Sequence, residues 1–319
     1  SGRIATGADY SCALYGRGAV RCWGSGYRGQ LGSGNTNNIG DNEAPGSVAP
    51  VDLGAGRTAI AVSAGGHHTC AVLDTGAVLC WGQGNSGQLG YGNTNHIGDD
   101  ETPASAGPID LGLGRTALQI STGYSFTCAL LDDGTVRCWG KNDGDPSWGN
   151  LGVVVPCWFG GLCPSPDIGD DETPGSVAPI DLGAGRTAIE VSAGFSHACA
   201  VLDNGTVRCW GNGQGGALGY GNTNHVGDNE TPGSVGPVYL GEGRTAVHVS
   251  AEGNHTCALL DNGTVRCGGQ GGGGELGYGN TTTIGDDETA GSVGPGDRGV
   301  GRKDDQIDAG GGTKCAVLD

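Results

Sequence analysis

The sequence predicts an all-β fold of stacked four-stranded blades. Three observations predict it: a unit that recurs at a fixed period, several short strand-like segments with turn residues inside each unit, and a glycine content that such turns demand. A block resembling Val-Ser-Ala-Gly-x-x-His-Thr-Cys-Ala-Val-Leu-Asp-x-Gly-x-Val-x-Cys-Trp-Gly recurs, with its first cysteine at Cys12, Cys70, Cys128, Cys199, Cys257 and Cys315. The steps are 58, 58, 71, 58 and 58 residues, so one unit carries a 13-residue insertion and the others keep strict register. Self-similarity at such a period marks repeat architectures.

Within one unit the elements follow in order. Ala61-Val62-Ser63-Ala64 reads as a first strand and Thr69 to Leu73 as a second. Asp74-Thr75-Gly76 is a turn, and Ala77 to Trp81 a third strand. A glycine-rich stretch, Gly82 to Gly92, ends in Gln-Leu-Gly-Tyr-Gly. A polar loop, Asn93 to Pro103, and a short apolar segment, Pro108 to Leu111, then lead to Gly114-Arg115-Thr116 and the next unit. Short strands separated by turn signals suggest a four-stranded blade. A single blade cannot bury its apolar face alone, so blades must stack. The chain holds 69 glycines in 319 residues without a Gly-X-Y period, which fits tight turns with positive φ rather than collagen. Residues 1–319 read as one domain, with 146–166 as an inserted loop in the third repeat. The chain starts and stops inside a repeat and has no methionine, so a longer protein is expected.

The cysteines read as staples. Five pairs lie ten residues apart: Cys12/Cys22, Cys70/Cys80, Cys128/Cys138, Cys199/Cys209 and Cys257/Cys267. In Leu202-Asp203-Asn204-Gly205-Thr206, a three-residue loop with Gly205 in the left-handed region places Leu202 opposite Thr206. Counting outward by pairs then sets Cys199 opposite Cys209. Opposed residues on antiparallel strands lie about 4.5–5.5 Å apart at Cα, within disulfide reach. A zinc site would need closer clusters such as C-x₂₋₄-C, which do not occur. Cys157 and Cys163 in the insertion are expected to pair with each other. Cys315 is the odd one: its partner falls beyond the last residue, or it is a free or intermolecular thiol. Disulfides at this density imply an oxidising compartment.

Charge narrows the partners. The net charge is −18, from 16 Lys+Arg against 34 Asp+Glu. Such a chain repels phosphate backbones, so nucleic acid is not expected. No run of eighteen apolar residues exists, so no direct membrane insertion is expected either.

The units resemble regulator-of-chromosome-condensation repeats. The residues that carry the resemblance are Ala64-Gly65 and Ala193-Gly194 before the hairpin, and His68-Thr69 and His255-Thr256 before the cysteine. The Leu-Asp-x-Gly turn, Cys-Trp-Gly, and Gly29-Gln30-Leu31-Gly32 with Gly87-Gln88-Leu89-Gly90 complete the set. The resemblance implies a β-propeller, typically of seven blades, of which five full repeats and part of a sixth are present. Members of the family range from a GTPase exchange factor to parts of ubiquitin ligases, a photoreceptor and a secreted inhibitor, so the fold alone does not fix the function. The cysteine pairs and the acidity set this chain apart from the nuclear members and make it look like a secreted, cysteine-paired subtype.

Candidate sites follow from the repeat and from its one interruption. Acidic triplets recur at Asp41-Asn42-Glu43, Asp99-Asp100-Glu101, Asp170-Asp171-Glu172, Asp228-Asn229-Glu230 and Asp286-Asp287-Glu288. They read either as oxygen-rich calcium loops, with Asp99, Asp100, Glu101, Asp170, Asp171 and Glu172 as ligands, or as solvated loops bonding local backbone N–H groups. No other cofactor is implied. His68, His197 and His255 share a position with Tyr10, Phe126 and Thr313, which suits a framework role better than a metal one. Trp23, Trp81, Trp139 and Trp210 are expected to pack between blades. Gly268 replaces the tryptophan in the fifth unit and predicts a local packing defect. Arg57, Arg115, Arg186 and Arg244 are expected to offset nearby carboxylates. Sequons at Asn204, Asn254 and Asn280 allow glycosylation in a eukaryotic host. The insertion brings Trp148, Trp158 and Phe159, which read either as a partner-binding hot spot or as a flap packed on the propeller or a neighbouring domain.

No phosphate loop, nucleophile elbow or acid/base pair stands outside the repeat, so no enzyme is expected. The expected function is a non-enzymatic, secreted or cell-surface scaffold that binds protein or assembles with its own copies. The alternative is an intracellular regulator of a small GTPase or of chromatin, of the nucleotide-exchange type.

Overall fold

A computed structural model describes residues 4–142, 148–154, 167–296, 304–310 and 313–318. Most of the inserted loop lies outside the described residues, and with it Cys157, Cys163, Trp158 and Phe159. The chain forms two compact units, Ser1–Asn142 with Pro164–Pro179 and Asp143–Cys163 with Ile180–Asp319.

The first unit holds three antiparallel sheets in simple chain order. They are β1 (Ile4–Thr6), β2 (Tyr10–Tyr15) and β3 (Ala19–Gly24); β4 (Ala59–Ala64), β5 (His68–Leu73) and β6 (Val78–Gly82); and β7 (Ala117–Thr122), β8 (Phe126–Leu131) and β9 (Val136–Gly140). The second unit repeats the pattern with β10 (Ala188–Ala193), β11 (His197–Leu202) and β12 (Val207–Gly211), then β13 (Ala246–Glu252), β14 (His255–Leu260) and β15 (Val265–Gly269). A two-stranded sheet follows, β16 (Asp304–Gly310) with β17 (Thr313–Leu318). Every residue of β5, β8, β11 and β14 is buried, so these central strands are covered on both faces and read as unbroken runs rather than alternating ones.

The hairpin between second and third strands has the expected register. Leu202 N–H donates to Thr206 O at 2.8 Å, Gly205 sits at φ 75°, and Cys199 faces Cys209. Asn204 Oδ1 ties the turn by accepting from Thr206 N–H (3.1 Å) and its hydroxyl (2.7 Å). Disulfides join Cys12–Cys22, Cys70–Cys80, Cys128–Cys138, Cys199–Cys209 and Cys257–Cys267, with Cα atoms 4.0–4.1 Å apart. The ten cysteines of these disulfides are buried.

The fourth strand is reduced to isolated contacts along the outer edge of the third. Gly82 and Ile97 exchange backbone hydrogen bonds, and Ile109 N–H donates to Val78 O at 2.9 Å. The chain between these two points swings out as the polar loop. Each first strand in the second to fifth sheets carries a bulge, at Ile60, Leu118, Ile189 and Val247, and these residues are 56–61% exposed. A two-against-one pairing turns a side chain away from its neighbours. Guanidinium groups brace the loop after the third strand: Arg21 donates to Gly46 O (2.7 Å), Arg137 to Pro174 O (2.7 Å) and Arg208 to Pro232 O (3.2 Å). Leu79 takes the arginine's place in the second sheet, and there the loop forms one helical turn, Pro103–Ala106, against β6. Among the described residues no helix is long and apolar enough to cross a membrane.

Candidate functional site

The repeated histidine and tryptophan positions build joints between consecutive sheets of one unit. Thr127 donates its hydroxyl hydrogen to the Gln88 carbonyl at 3.0 Å, so the Thr127 oxygen accepts from His68 Nε2 at 2.8 Å. That commits His68 to the neutral tautomer with its hydrogen on Nε2. Burial pushes its pKa down to about 3, with His67 adding to the shift. The same Gln88 carbonyl takes the Trp139 Nε1–H at 3.1 Å. One repeat earlier, the Gln30 carbonyl accepts from Trp81 Nε1 (3.0 Å) and Thr69 Oγ1 (2.9 Å), and Tyr10 stands in the histidine's place, donating to His68 O at 2.5 Å. In the second unit Trp210 Nε1 donates to Asn150 O at 3.1 Å, and His197 Nε2 meets Thr256 Oγ1 at 2.8 Å. Burial holds His197 down at about 4. Trp81, Trp139 and Trp210 are wholly buried, whereas Trp23 in the first sheet is half-buried. These positions are framework.

The fifth sheet differs at this position. The facing loop lies close to Gly268, where a Cβ would stand 3.3 Å from Gly219 Cα, and Gly219 lacks the indole that Gly32, Gly90 and Gly152 face. Ala217 occupies the site of the bulkier Gln30 and Gln88, and Ala290 the site of Pro174 and Pro232, so the smaller side chains allow the approach.

Three acidic triplets gather their carboxylates. In Asp99-Asp100-Glu101, Asp170-Asp171-Glu172 and Asp286-Asp287-Glu288, one oxygen from each residue lies within 4.8 Å of the others. Burial, a hydrogen bond from Asp171 and the charges of Asp170 and Asp171 push Glu172 up to about 7. Glu101 and Glu288 rise for the same reasons, burial first. Such oxygen sets suit a hard cation. In Asp41-Asn42-Glu43 the Glu43 carboxylate instead accepts from Gly40 N–H at 2.9 Å. The arginines of Gly-Arg-Thr do meet carboxylates of the hairpin turn: Arg57–Asp74 (3.5 Å), Arg115–Asp133 (2.8 Å), Arg186–Asp203 (3.3 Å) and Arg244–Asp261 (3.3 Å).

Of the insertion aromatics, Trp148 is described. It is half-buried, with its indole 6.2 Å from the His225 ring. A second aromatic group escaped the sequence reading. Tyr27, His67 and Tyr124 line up edge to face, with ring centroids 5.6 Å and 5.9 Å apart, and Arg28 lies over the Tyr27 ring at 5.1 Å. The three occupy different positions of the repeat, so no periodicity announces them. Two further joints were also missed. Thr102, Thr173 and Thr231 donate to Asp52, Asp110 and Asp181 one repeat earlier at 3.2, 3.0 and 2.9 Å, and Glu190 pairs with His248 between β10 and β13. The recurring Ile-Asp-Leu and Glu-Thr-Pro are the sequence signal for the first of these.

Sequence profiles described as the Regulator of chromosome condensation (RCC1) repeat match residues 3–30, 59–88, 118–144 and 188–217, and residues 17–72 and 75–130, together more than half of the chain. The chain belongs to the RCC1 repeat family. Among relatives, the E3 ubiquitin-protein ligase HERC2 of Mus musculus is 27% identical over 285 residues, covering 88% of this chain and 5% of the ligase. The X-linked retinitis pigmentosa GTPase regulator homolog of Caenorhabditis elegans is 27% identical over 286 residues, 82% of this chain and 19% of that protein. The RCC1-repeat chain thus spans a small fraction of these relatives. Among solved structures, Prp20p from Saccharomyces cerevisiae, described with its binding to Gsp1p and histones, superposes with a TM-score of 0.70 at 18% identity, over 98% of this chain and 68% of that one. The all-β blades seen here are of the same fold as that structure.

Proposed function

We propose that this RCC1-repeat chain is a non-enzymatic, secreted or cell-surface scaffold that binds protein or copies of itself. The observation that carries the reading is the set of five buried hairpin disulfides, one per full repeat. Cytosolic thiol buffers keep such pairs reduced, so their recurrence argues for folding in an oxidising compartment. The repeat residues that in another protein would draw suspicion of chemistry, His68 and His197, are spent on joints between sheets. The acidic surface favours a cationic partner. Calcium in the three acidic triplets would add a structural ion to the same scaffold.

A second reading, an intracellular regulator of a small GTPase or of chromatin, draws support from the GTPase-regulator name of one relative and from the binding of Prp20p to Gsp1p and histones. Antibody labelling of intact, unpermeabilised host cells and of their medium separates the two. The scaffold reading expects signal on the surface or in the medium, and signal confined to the cell interior overturns it.

A further inference from the structure

We infer that Tyr27, His67 and Tyr124 form a docking spot for a cationic protein segment, one that presents an arginine or lysine beside an apolar side chain. The inference rests on the protein-binding reading and deepens it. Tyr27 is 49% exposed and Tyr124 39%, while His67 is half-buried between them. All three lie in the first unit on neighbouring loops. Tyr27 belongs to the loop after β3, His67 to the turn before β5, and Tyr124 to the turn before β8. Backbone bonds tie them through the turn before β2: Gly66 N–H donates to Tyr124 O at 3.2 Å, Ala8 N–H to Gly66 O at 3.4 Å, and Ser25 N–H, at the start of the loop that carries Tyr27, to Asp9 O at 3.0 Å. Rings on a rigid support give contact area at low entropic cost.

Three features select a cation. The Arg28 guanidinium lies over the Tyr27 ring at 5.1 Å, so this ring face accepts a guanidinium, and an incoming one takes the place by displacing that side chain. Burial and the Arg28 charge hold the His67 pKa down, so its ring stays neutral near pH 7 and does not repel a cation. The loop that carries Tyr27 also abuts the start of an acidic triplet: a Cβ at Gly29 would stand 2.6 Å from Asp99 N, so Asp99-Asp100-Glu101 borders the spot. With a net charge of −18 the chain draws cations from a distance, and the aromatic rings supply the short-range contact.

The test is an NMR titration of the intact chain with two blocked peptides, Ac-Arg-Leu-Arg-NH2 and Ac-Glu-Leu-Glu-NH2, read on the ring protons of Tyr27 and Tyr124. The basic peptide is expected to shift both rings saturably, with affinity falling as salt is raised, and the acidic peptide to leave them in place. Tyr27→Ala and Tyr124→Ala are each expected to weaken binding roughly two- to fivefold. Tyr239→Ala, which removes an equally exposed tyrosine of the second unit, is expected to change nothing. Absence of a shift at millimolar peptide, equal shifts with the acidic peptide, or insensitivity to both substitutions overturns the inference. Those results leave the cell-surface labelling result intact, so the two readings fail separately.

Discussion

The Tyr91 hydroxyl closes both backbone groups of Cys80, donating to its carbonyl at 3.1 Å and accepting from its N–H at 3.2 Å. Tyr220 does the same for Cys209 and Tyr278 for Cys267. Because those groups point outward, the cysteine pair is of the non-hydrogen-bonded kind, in which opposed side chains stand closest. One side chain thus replaces a rung of the missing fourth strand. Tyr91→Phe leaves both groups unpaired and is expected to lower stability by about 1–3 kcal/mol, measured by urea unfolding. Ser33 and Val153 hold this place in the first and third repeats, so substitution there is expected to cost little.

Acid is expected to loosen the joints between sheets. His68 and His197 are held neutral when folded, at about 3 and about 4, against about 6.5 when unfolded. Their contribution is whole above pH 6.5 and is lost as pH falls toward 4 and 3, at about 1.4 kcal/mol per pH unit for each. Glu172 works the other way, because its raised pKa means that protonation between about 7 and 4.5 relieves the crowded triplet. Unfolding followed from pH 7 to 4 should therefore show a loss that His68→Gln and His197→Gln flatten.

Restoring the tryptophan at position 268 is expected to harm the protein. A Cβ there would stand 3.3 Å from Gly219 Cα, so Gly268→Trp crowds the facing loop and should cost about 1–3 kcal/mol. Trp81→Gly removes a wholly buried indole and should cost about 3–5 kcal/mol. Thermal unfolding of the two variants beside the parent checks both signs.

The four arginine–aspartate pairs are expected to matter little. Their side chains are 34–40% exposed, and Arg57→Ala should shift stability by less than about 1 kcal/mol, with added salt shrinking the difference further.

Much of the blade was legible because its constraints are local. The Leu-Asp-x-Gly turn sets the hairpin register, the register sets the cysteine spacing, and both repeat. The fourth strand was not legible as it stands, because a hydroxyl and single backbone bonds at Ile97 and Ile109 replace a continuous ladder, and strand patterns do not register such substitutes. The surroundings of Gly268 include Gly219 and Ala290, which come together only in three dimensions. The Tyr27, His67 and Tyr124 group has the same character: three residues from different repeat positions meet because the sheets stack.

The hairpin disulfides are the physical basis of the whole reading. Each closes a short loop and should contribute about 2–3 kcal/mol. Digestion of the native protein without reductant, with free thiols alkylated beforehand, followed by mass spectrometry, tests them directly. The expected result is five linked peptide pairs, Cys12–Cys22, Cys70–Cys80, Cys128–Cys138, Cys199–Cys209 and Cys257–Cys267. Alkylated cysteines at those ten positions would contradict the account.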